Sequence, residues 1–194
     1  MKVEIITKRR VFDSFFKVDE AELRYERFDG SMTPVLKRQC FERGDSVAAL
    51  LFHTGSRQLL LGSQFKYPTF EKGPGWITEV IAGTIDNDET PEAAVQREVE
   101  EETGYRILSS RHISTFYVSP GGTSERIWLY YAEVSDADRK GKGGGIAAEG
   151  EDIKLITLSP PEAADAIASG EIQDAKTLIA LLWFNHEFPN GAAS

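Results

Sequence analysis

The sequence predicts a mixed α/β sandwich, and three observations carry that prediction. Strand-like segments recur from end to end and are interrupted by only a few helical patterns. The 194 residues are 41% hydrophobic and 27% charged, enough to close a core without staples and to make one domain or one domain with an appendage. No self-similarity of solenoid period interrupts that picture.

The first 55 residues read as strand: Val3–Ile6, Ala21–Arg27 and Val35–Phe41 mix β-branched, aromatic and charged residues at about period two. Phe28-Asp29-Gly30-Ser31 is a turn between two of them, with Gly30 free to take positive φ. Charge on both sides of each strand leaves this section, residues 1–45, little to bury alone, so it is expected to pack on another surface, apart from a catalytic domain over 46–194. Ser46–His53 and Gln58–Gln64 predict a buried hairpin turning at Thr54-Gly55-Ser56; Tyr67–Gly75 predicts a Pro- and Gly-containing loop, and Trp76–Ile85 one further strand. Glu89–Thr103 switches to a helical pattern, and Tyr105–Ser119 and Arg126–Ser135 return to strand. Asp136–Gly150, with five glycines between 141 and 150, is expected to be mobile; a strand over Asp152–Leu158 and helices over Pro161–Ser169 and Ile172–Phe184 complete the chain.

Composition excludes several function classes. With 22 Lys plus Arg against 31 Asp plus Glu, the net charge is −9, and the short run Lys8-Arg9-Arg10 does not make a nucleic-acid surface. The single cysteine, Cys40, fits a reducing compartment and reads as a small apolar packer. The apolar runs Val47–Phe52 and Leu178–Phe184 fall far short of the roughly 20 residues of a membrane helix, and no leader pattern opens the chain. The expectation is a cytoplasmic protein that binds neither membrane nor nucleic acid. His53, His112 and His186 show no ligand spacing and read as structural. Trp128 and Trp183 read as core or interface; Trp76 lies near enough to the acidic stretch to touch a ligand.

The chemistry is concentrated in Gly83–Tyr105. Thr90 suits an N-cap, Pro91 the first helical position and Gly104 the position after the last turn. Ala94, Val95 and Val99 supply an apolar side, while Glu98, Glu101 and Glu102 stack at i, i+3 and i+4. Each like-charged pair at that spacing costs a helix about 0.2–0.5 kcal/mol, and the helix dipole makes the C-terminal half the wrong end for anions. Arg97 alone does not neutralise three carboxylates, whereas a hard divalent cation with oxygen ligands would. A Glu-rich helix is more often a solvated face, but here the spacing overrides that reading. Gly83, five residues, Glu89, seven residues, Arg97-Glu98-Val99, one residue, Glu101-Glu102, one residue and Gly104-Tyr105 resemble the complete Nudix box, the motif of hydrolases that cut a nucleoside diphosphate linked to another moiety.

The resemblance implies a Nudix α/β/α sandwich that holds Mg²⁺, with Mn²⁺ as a substitute, against a diphosphate attacked by water. It assigns Glu98 and Glu102 as metal ligands, Glu101 as a third ligand or a catalytic helper, and the carbonyl of Ala82 as a further oxygen. Arg97 and Glu89 would form an orienting salt bridge, and Gly83 and Gly104 would be backbone positions. Ser119-Pro120-Gly121-Gly122-Thr123-Ser124-Glu125-Arg126, with Pro120 sixteen residues after Gly104, resembles the ADP-ribose pyrophosphatase branch. It implies that Ser119, Gly121 and Gly122 line the diphosphate-sugar and that Glu125 faces the terminal sugar. Ile146–Ile153 resembles the loop that delivers a catalytic carboxylate, with Glu149 as general base and Glu151 on the metal side, or the two exchanged. Phe15-Phe16, Phe28-Asp29-Gly30 and Lys37–Gly44 resemble the same branch, whose β-rich N-terminal section is exchanged between two subunits. Phe15 and Arg38 would then sandwich the base bound by the partner, in a homodimer. One departure stands out: Gln64-Phe65-Lys66 puts Lys where relatives carry Arg, a point charge in place of a fork on the diphosphate.

The implied activity is Mg²⁺-dependent hydrolysis of ADP-ribose to AMP and ribose 5-phosphate, or the same chemistry on another nucleotide sugar such as GDP-mannose or UDP-glucose. A nucleoside-triphosphate sanitiser fits less well, because such members usually lack the N-terminal section and the Pro-Gly-Gly loop. A non-catalytic domain that senses a nucleotide sugar is the rival from another class; it would have lost the box carboxylates, which are all present here.

Overall fold

A computed structural model describes residues 1–189, and of Glu149 only the backbone. Two compact units divide the chain, one of Met1–Asp45 with Tyr117–Arg126, the other of Ser46–Phe116 and the chain from Ile127 onward.

The first unit is built on an antiparallel sheet of β1 (Val3–Asp13), β2 (Lys17–Tyr25) and β3 (Leu36–Glu42) in that order. Every residue of β1 is exposed, which matches strands charged on both sides. Charged side chains pair across the strands: Glu20 lies 2.9 Å from Arg9 and 3.3 Å from Lys37. The turn at 28–31 forms as expected, with Gly30 at φ +82° and the Asp29 carboxylate accepting both the N–H and the hydroxyl of Ser31. Residues 117–126 form the second part of this unit, where the Phe41 N–H donates to the Gly122 carbonyl at 2.8 Å and Ser124 donates to Glu42 at 2.6 Å.

The second unit carries the larger sheet. Its strands are β4 (Ser46–His53), β5 (Gln58–Phe65), β6 (Trp76–Glu79), β7 (Ile81–Thr84), β8 (Arg111–Tyr117), β9 (Arg126–Val134) and β10 (Lys154–Leu158). The order is β10-β5-β4-β9-β8, with β6 on β5 and β7 on β4. The helices are α1 (Tyr67–Phe70), α2 (Pro91–Thr103), α3 (Pro160–Ser169) and α4 (Ala175–Glu187). All eight residues of β4 are buried, because both faces of the strand are covered. Val47, Ala49 and Leu51 pack with Ala94, Val95 and Val99 of α2, while Ala48, Leu50 and Phe52 pack with Ala163 and Ala166 of α3 and Leu181 and Phe184 of α4. The sheet between two helical layers is the expected mixed α/β sandwich. Among the described residues no helix is long and apolar enough to cross a membrane.

Three local expectations are corrected. The loop after Lys66 contains a turn of helix, α1, with a proline in its first positions. The strand expected over Trp76–Ile85 breaks at Val80, where pairing passes from β5 to β4. The Val80 N–H, freed by that break, donates to Thr177 Oγ1 at 2.8 Å. Finally, Tyr105–Ser119 is strand only from Arg111 to Tyr117; Tyr105 and Ile107 instead enter the core beneath α2 as irregular chain.

Candidate active site

Helix α2 begins and ends where its caps dictate. Thr90 Oγ1 accepts the Ala93 N–H at 3.2 Å, and Gly104, at φ +74°, closes the last turn in the left-handed conformation. With Ala94, Val95 and Val99 in the core, the i, i+3, i+4 spacing leaves Glu98, Glu101 and Glu102 on a face turned toward β7 and Arg97. Gly83 of β7 lies directly under Glu98: a Cβ there would overlap the Glu98 carboxylate. The glycine that opens the box therefore leaves the space that the Glu98 carboxylate fills, and its dihedrals make no demand for glycine.

Arg97 is the hub of the loop before the helix. Its guanidinium grips Glu89 through Nε at 3.1 Å and Nη2 at 3.0 Å, and donates to the Thr84 carbonyl at 3.0 Å. Its remaining nitrogen, Nη1, reaches Glu98 at 2.7 Å and Glu101 at 3.2 Å. Glu89 holds the Arg97 pKa above its ordinary value, against the effect of burial, and the guanidinium pulls Glu89 down in turn. The orienting salt bridge expected between Arg97 and Glu89 is present.

Glu102 is outside this arrangement. It is 6% exposed, no Lys, Arg or His nitrogen lies within ion-pair distance among the described residues, and its carboxylate accepts only a 3.3 Å hydrogen bond from the Ala82 N–H. Burial, reinforced by the charge of Glu98, pushes its pKa up to about 8. Burial also raises Glu98, although Arg97 works against the shift. Two adjoining carboxyl groups are thus held in a setting that penalises their ionisation. Among the described residues no three acidic or metal-binding side chains converge on one point, since Arg97 draws Glu98 and Glu101 to itself. The donor set is nonetheless all oxygen and short of positive charge at Glu102, which fits a hard divalent cation such as Mg²⁺. Glu98 and Glu102, with Glu101, are the groups that could hold it.

The start of the glycine-rich segment, residues 140–145, is hydrogen-bonded to the end of α2. The N–H groups of Lys140 and Gly141 donate to the Gly104 carbonyl at 2.7 and 3.1 Å, and those of Gly144 and Gly145 to Glu102 and Glu101 at 2.8 and 3.3 Å. These bonds satisfy carbonyls that the end of α2 leaves open. Gly143, at φ +68°, lies so close that a Cβ would overlap the backbone of Thr103 and stand 2.6 Å from the Glu102 carbonyl oxygen. Further on, Glu151 accepts the Ile146 N–H at 2.8 Å and is near enough to Glu98 to raise its pKa. Glu149 ends a short 3₁₀ turn, Ala147–Glu149; its side chain lies outside the described residues.

The remaining sequence-predicted residues fall in both units. In the second, Ala82 is half-buried in β7 opposite Ala48, and Lys66 Nζ lies 3.0 Å from Glu79. His53 closes the β4–β5 turn by accepting the Ser56 N–H, and Trp183 packs on Tyr131, both structural as expected. Trp76 is 62% exposed and packs edge-on to Phe65. In the first unit, Phe15 is 90% exposed against the edge of Phe16, and Arg38 is exposed on β3. The Ser119 carbonyl accepts the N–H groups of Gly122 and Thr123, each at 3.0 Å. Gly121 and Gly122 have open space where a Cβ would be, while Glu125 is buried with Arg43 3.5 Å away. Sequence reasoning missed Glu79 and its second partner, Lys176. The available signal was a lysine in the first turn of α4, where the helix dipole disfavours a cation.

A family model described as NUDIX domain matches residues 42–181. This chain belongs to the Nudix family. GDP-mannose pyrophosphatase from Cronobacter sakazakii is 34% identical over 183 residues, covering 93% of this chain and 94% of the relative. GDP-mannose pyrophosphatase from Escherichia coli K12 is 35% identical over 182 residues, covering 93% of each. Among solved structures, an ADP compounds hydrolase superposes with a TM-score of 0.75 over 97% of this chain and 95% of that one, at 19% identity, which supports the Nudix fold. The chain is therefore a Nudix hydrolase of the nucleotide-sugar and ADP-ribose pyrophosphatase group, an enzyme family that generally uses divalent metal ions.

Proposed function

We propose that this Nudix hydrolase cleaves the diphosphate of GDP-mannose, giving GMP and mannose 1-phosphate. The observation that carries the hydrolase assignment is the adjoining Glu98–Glu102 pair, with no Lys, Arg or His nitrogen within ion-pair distance of Glu102 among the described residues. Likeness to the two GDP-mannose pyrophosphatases along 93% of the chain favours that nucleotide sugar. A second reading, ADP-ribose hydrolysed to AMP and ribose 5-phosphate, is favoured by Pro120 sixteen residues after Gly104.

Glu98 and Glu102 would hold Mg²⁺, with Glu101, Glu151 and the Ala82 carbonyl as further oxygen donors. Bound there, the ion would offset the phosphoryl charge and favour deprotonation of the attacking water. Arg97, tied to Glu89, fixes the face from which Glu98 and Glu101 project. Lys66 would meet the diphosphate as a point charge, and Glu149 would take the proton of the attacking water. Ser119, Gly121, Gly122 and Glu125 would contact the sugar side. Phe15 and Arg38 would hold the base of the partner subunit's substrate, in a homodimer that exchanges its N-terminal sections.

The test is a phosphatase-coupled assay with Mg²⁺ that compares GDP-mannose, ADP-ribose, UDP-glucose and a nucleoside triphosphate. A lead of about tenfold or more in kcat/KM for GDP-mannose is expected. A comparable lead for ADP-ribose replaces the first reading with the second, and no turnover with either Mg²⁺ or Mn²⁺ refutes both.

A further inference from the structure

Lys66 belongs to a chain of charges that spans two distant stretches of sequence. Its Nζ lies 3.0 Å from one oxygen of Glu79, and the other oxygen of Glu79 takes the ammonium of Lys176. Lys176 in turn lies 3.0 Å from Asp174 Oδ1. Asp174 Oδ2 is the N-cap of α4, accepting the Thr177 N–H at 2.9 Å and its hydroxyl at 2.6 Å. Thr177 Oγ1 accepts the N–H of Val80, the residue that follows Glu79. The first turn of α4 therefore holds both the side chain of Glu79 and the backbone beside it.

Accessibility gives this chain a direction. The side chains of Lys176 and Glu79 are 13% and 12% exposed, whereas that of Lys66 is 40% exposed. Glu79 ends β6 three residues before Ala82 of β7, whose N–H donates to Glu102 at 3.3 Å, so the Lys66–Glu79 pair stands on the stretch of chain that meets the acid pair. A lysine is a flexible point charge that loses rotamer freedom when it binds a phosphate, unlike the planar fork of an arginine. A carboxylate that already restrains the ammonium removes part of that cost. Left alone, the same carboxylate would repel an anionic substrate; a second lysine removes the objection.

We propose that Glu79 is a positioning residue for substrate binding: it restrains Lys66 beside the acid pair, and Lys176 cancels the charge Glu79 would otherwise present to a diphosphate. The inference rests on the assignment of Lys66 to the diphosphate. It also explains how a lysine serves where an arginine would be pre-ordered by its own geometry.

A double-mutant cycle on the full chain with Mg²⁺ tests it, using whichever of GDP-mannose and ADP-ribose turns over faster. Glu79→Gln is expected to raise KM about five- to tenfold with kcat within about twofold, and to add less than about twofold once Lys66→Met is present. An equal effect in both backgrounds overturns the proposal, because Glu79 then acts without Lys66. A Lys66→Met enzyme with wild-type KM overturns it by a different route, removing Lys66 from the diphosphate. Because Glu79→Gln leaves Lys176 buried beside a neutral amide and could unfold the chain, Glu79→Asp is the second variant. It keeps the charge but shortens the reach by one methylene, and is expected to raise KM about threefold or more at a near wild-type melting temperature. A wild-type KM for Glu79→Asp contradicts the proposal.

Discussion

Glu20 in the N-terminal unit and Glu102 in α2 are covered to nearly the same degree, 8% and 6% exposed, yet their carboxyl groups are driven in opposite directions. Hydrogen bonds from Arg9 and Gln39, against some cost of burial, bring Glu20 down to about 2. Burial and the neighbouring Glu98 push Glu102 up to about 8. Exposure alone thus says little about a carboxylate; how deep it lies and what faces it decide together. Glu20 has its cations within the protein and serves the sheet. Among the described residues Glu102 has none in contact, and burial beside Glu98 sets its ionised form at a cost to the fold.

The widest separation between the two regions should come from turnover. Glu98→Gln is expected to lower kcat by about a thousandfold or more while circular dichroism stays unchanged, because the substitution removes a charge that burial disfavours. Undiminished kcat would place the chemistry elsewhere. Next in size is a gain in stability. Glu102 binds its proton more tightly folded than unfolded, so the folded state loses stability as pH rises from about 4.5 toward about 8. In EDTA, Glu102→Gln should therefore melt several degrees above wild type at pH 8.5, with the gap closing below pH 4.5. A variant that melts lower at pH 8.5 would show that Glu102 has a counter-charge after all.

Gly143→Ala should cost about 1–2 kcal/mol in chemical denaturation, since it combines a left-handed backbone with overlap on Thr103. It should also lower kcat more than it alters KM, because the anchored segment leads to Glu149 and Glu151. An unaltered denaturation midpoint would mean that the segment detaches freely from α2. The smallest effect belongs to Glu20→Gln. The depressed pKa of Glu20 contributes stability above about pH 4.5 that is lost as pH falls toward about 2. The variant should melt slightly below wild type at pH 7, converge with it near pH 2 and keep its kcat. A large loss of turnover would link the two regions.

The boundaries of α2 were legible because Thr90, Pro91 and Gly104 each have a local mechanical reason to stand where they do. The box acids stood out because their spacing resembles the Nudix box; without that resemblance the same helix reads as a solvated acidic face. The break at Val80 was not legible, because it depends on which neighbour each half-strand pairs with and on Thr177, 97 residues away. Nor was the attachment of residues 140–145 to the end of α2: Gly143, which reads locally as freedom, stands where the backbone of Thr103 and Glu102 leaves no room for a side chain. The Glu79–Lys176 contact also joins residues 97 apart, beyond any local pattern.

Calorimetric titration of the metal-free protein with Mg²⁺, in wild type and Glu102→Gln, tests whether Glu102 holds the metal on which hydrolysis depends. Wild type is expected to bind saturably, and the variant to lose both that binding and GDP-mannose turnover. A Glu102→Gln protein that binds Mg²⁺ as wild type does and still hydrolyses GDP-mannose would contradict that role for Glu102.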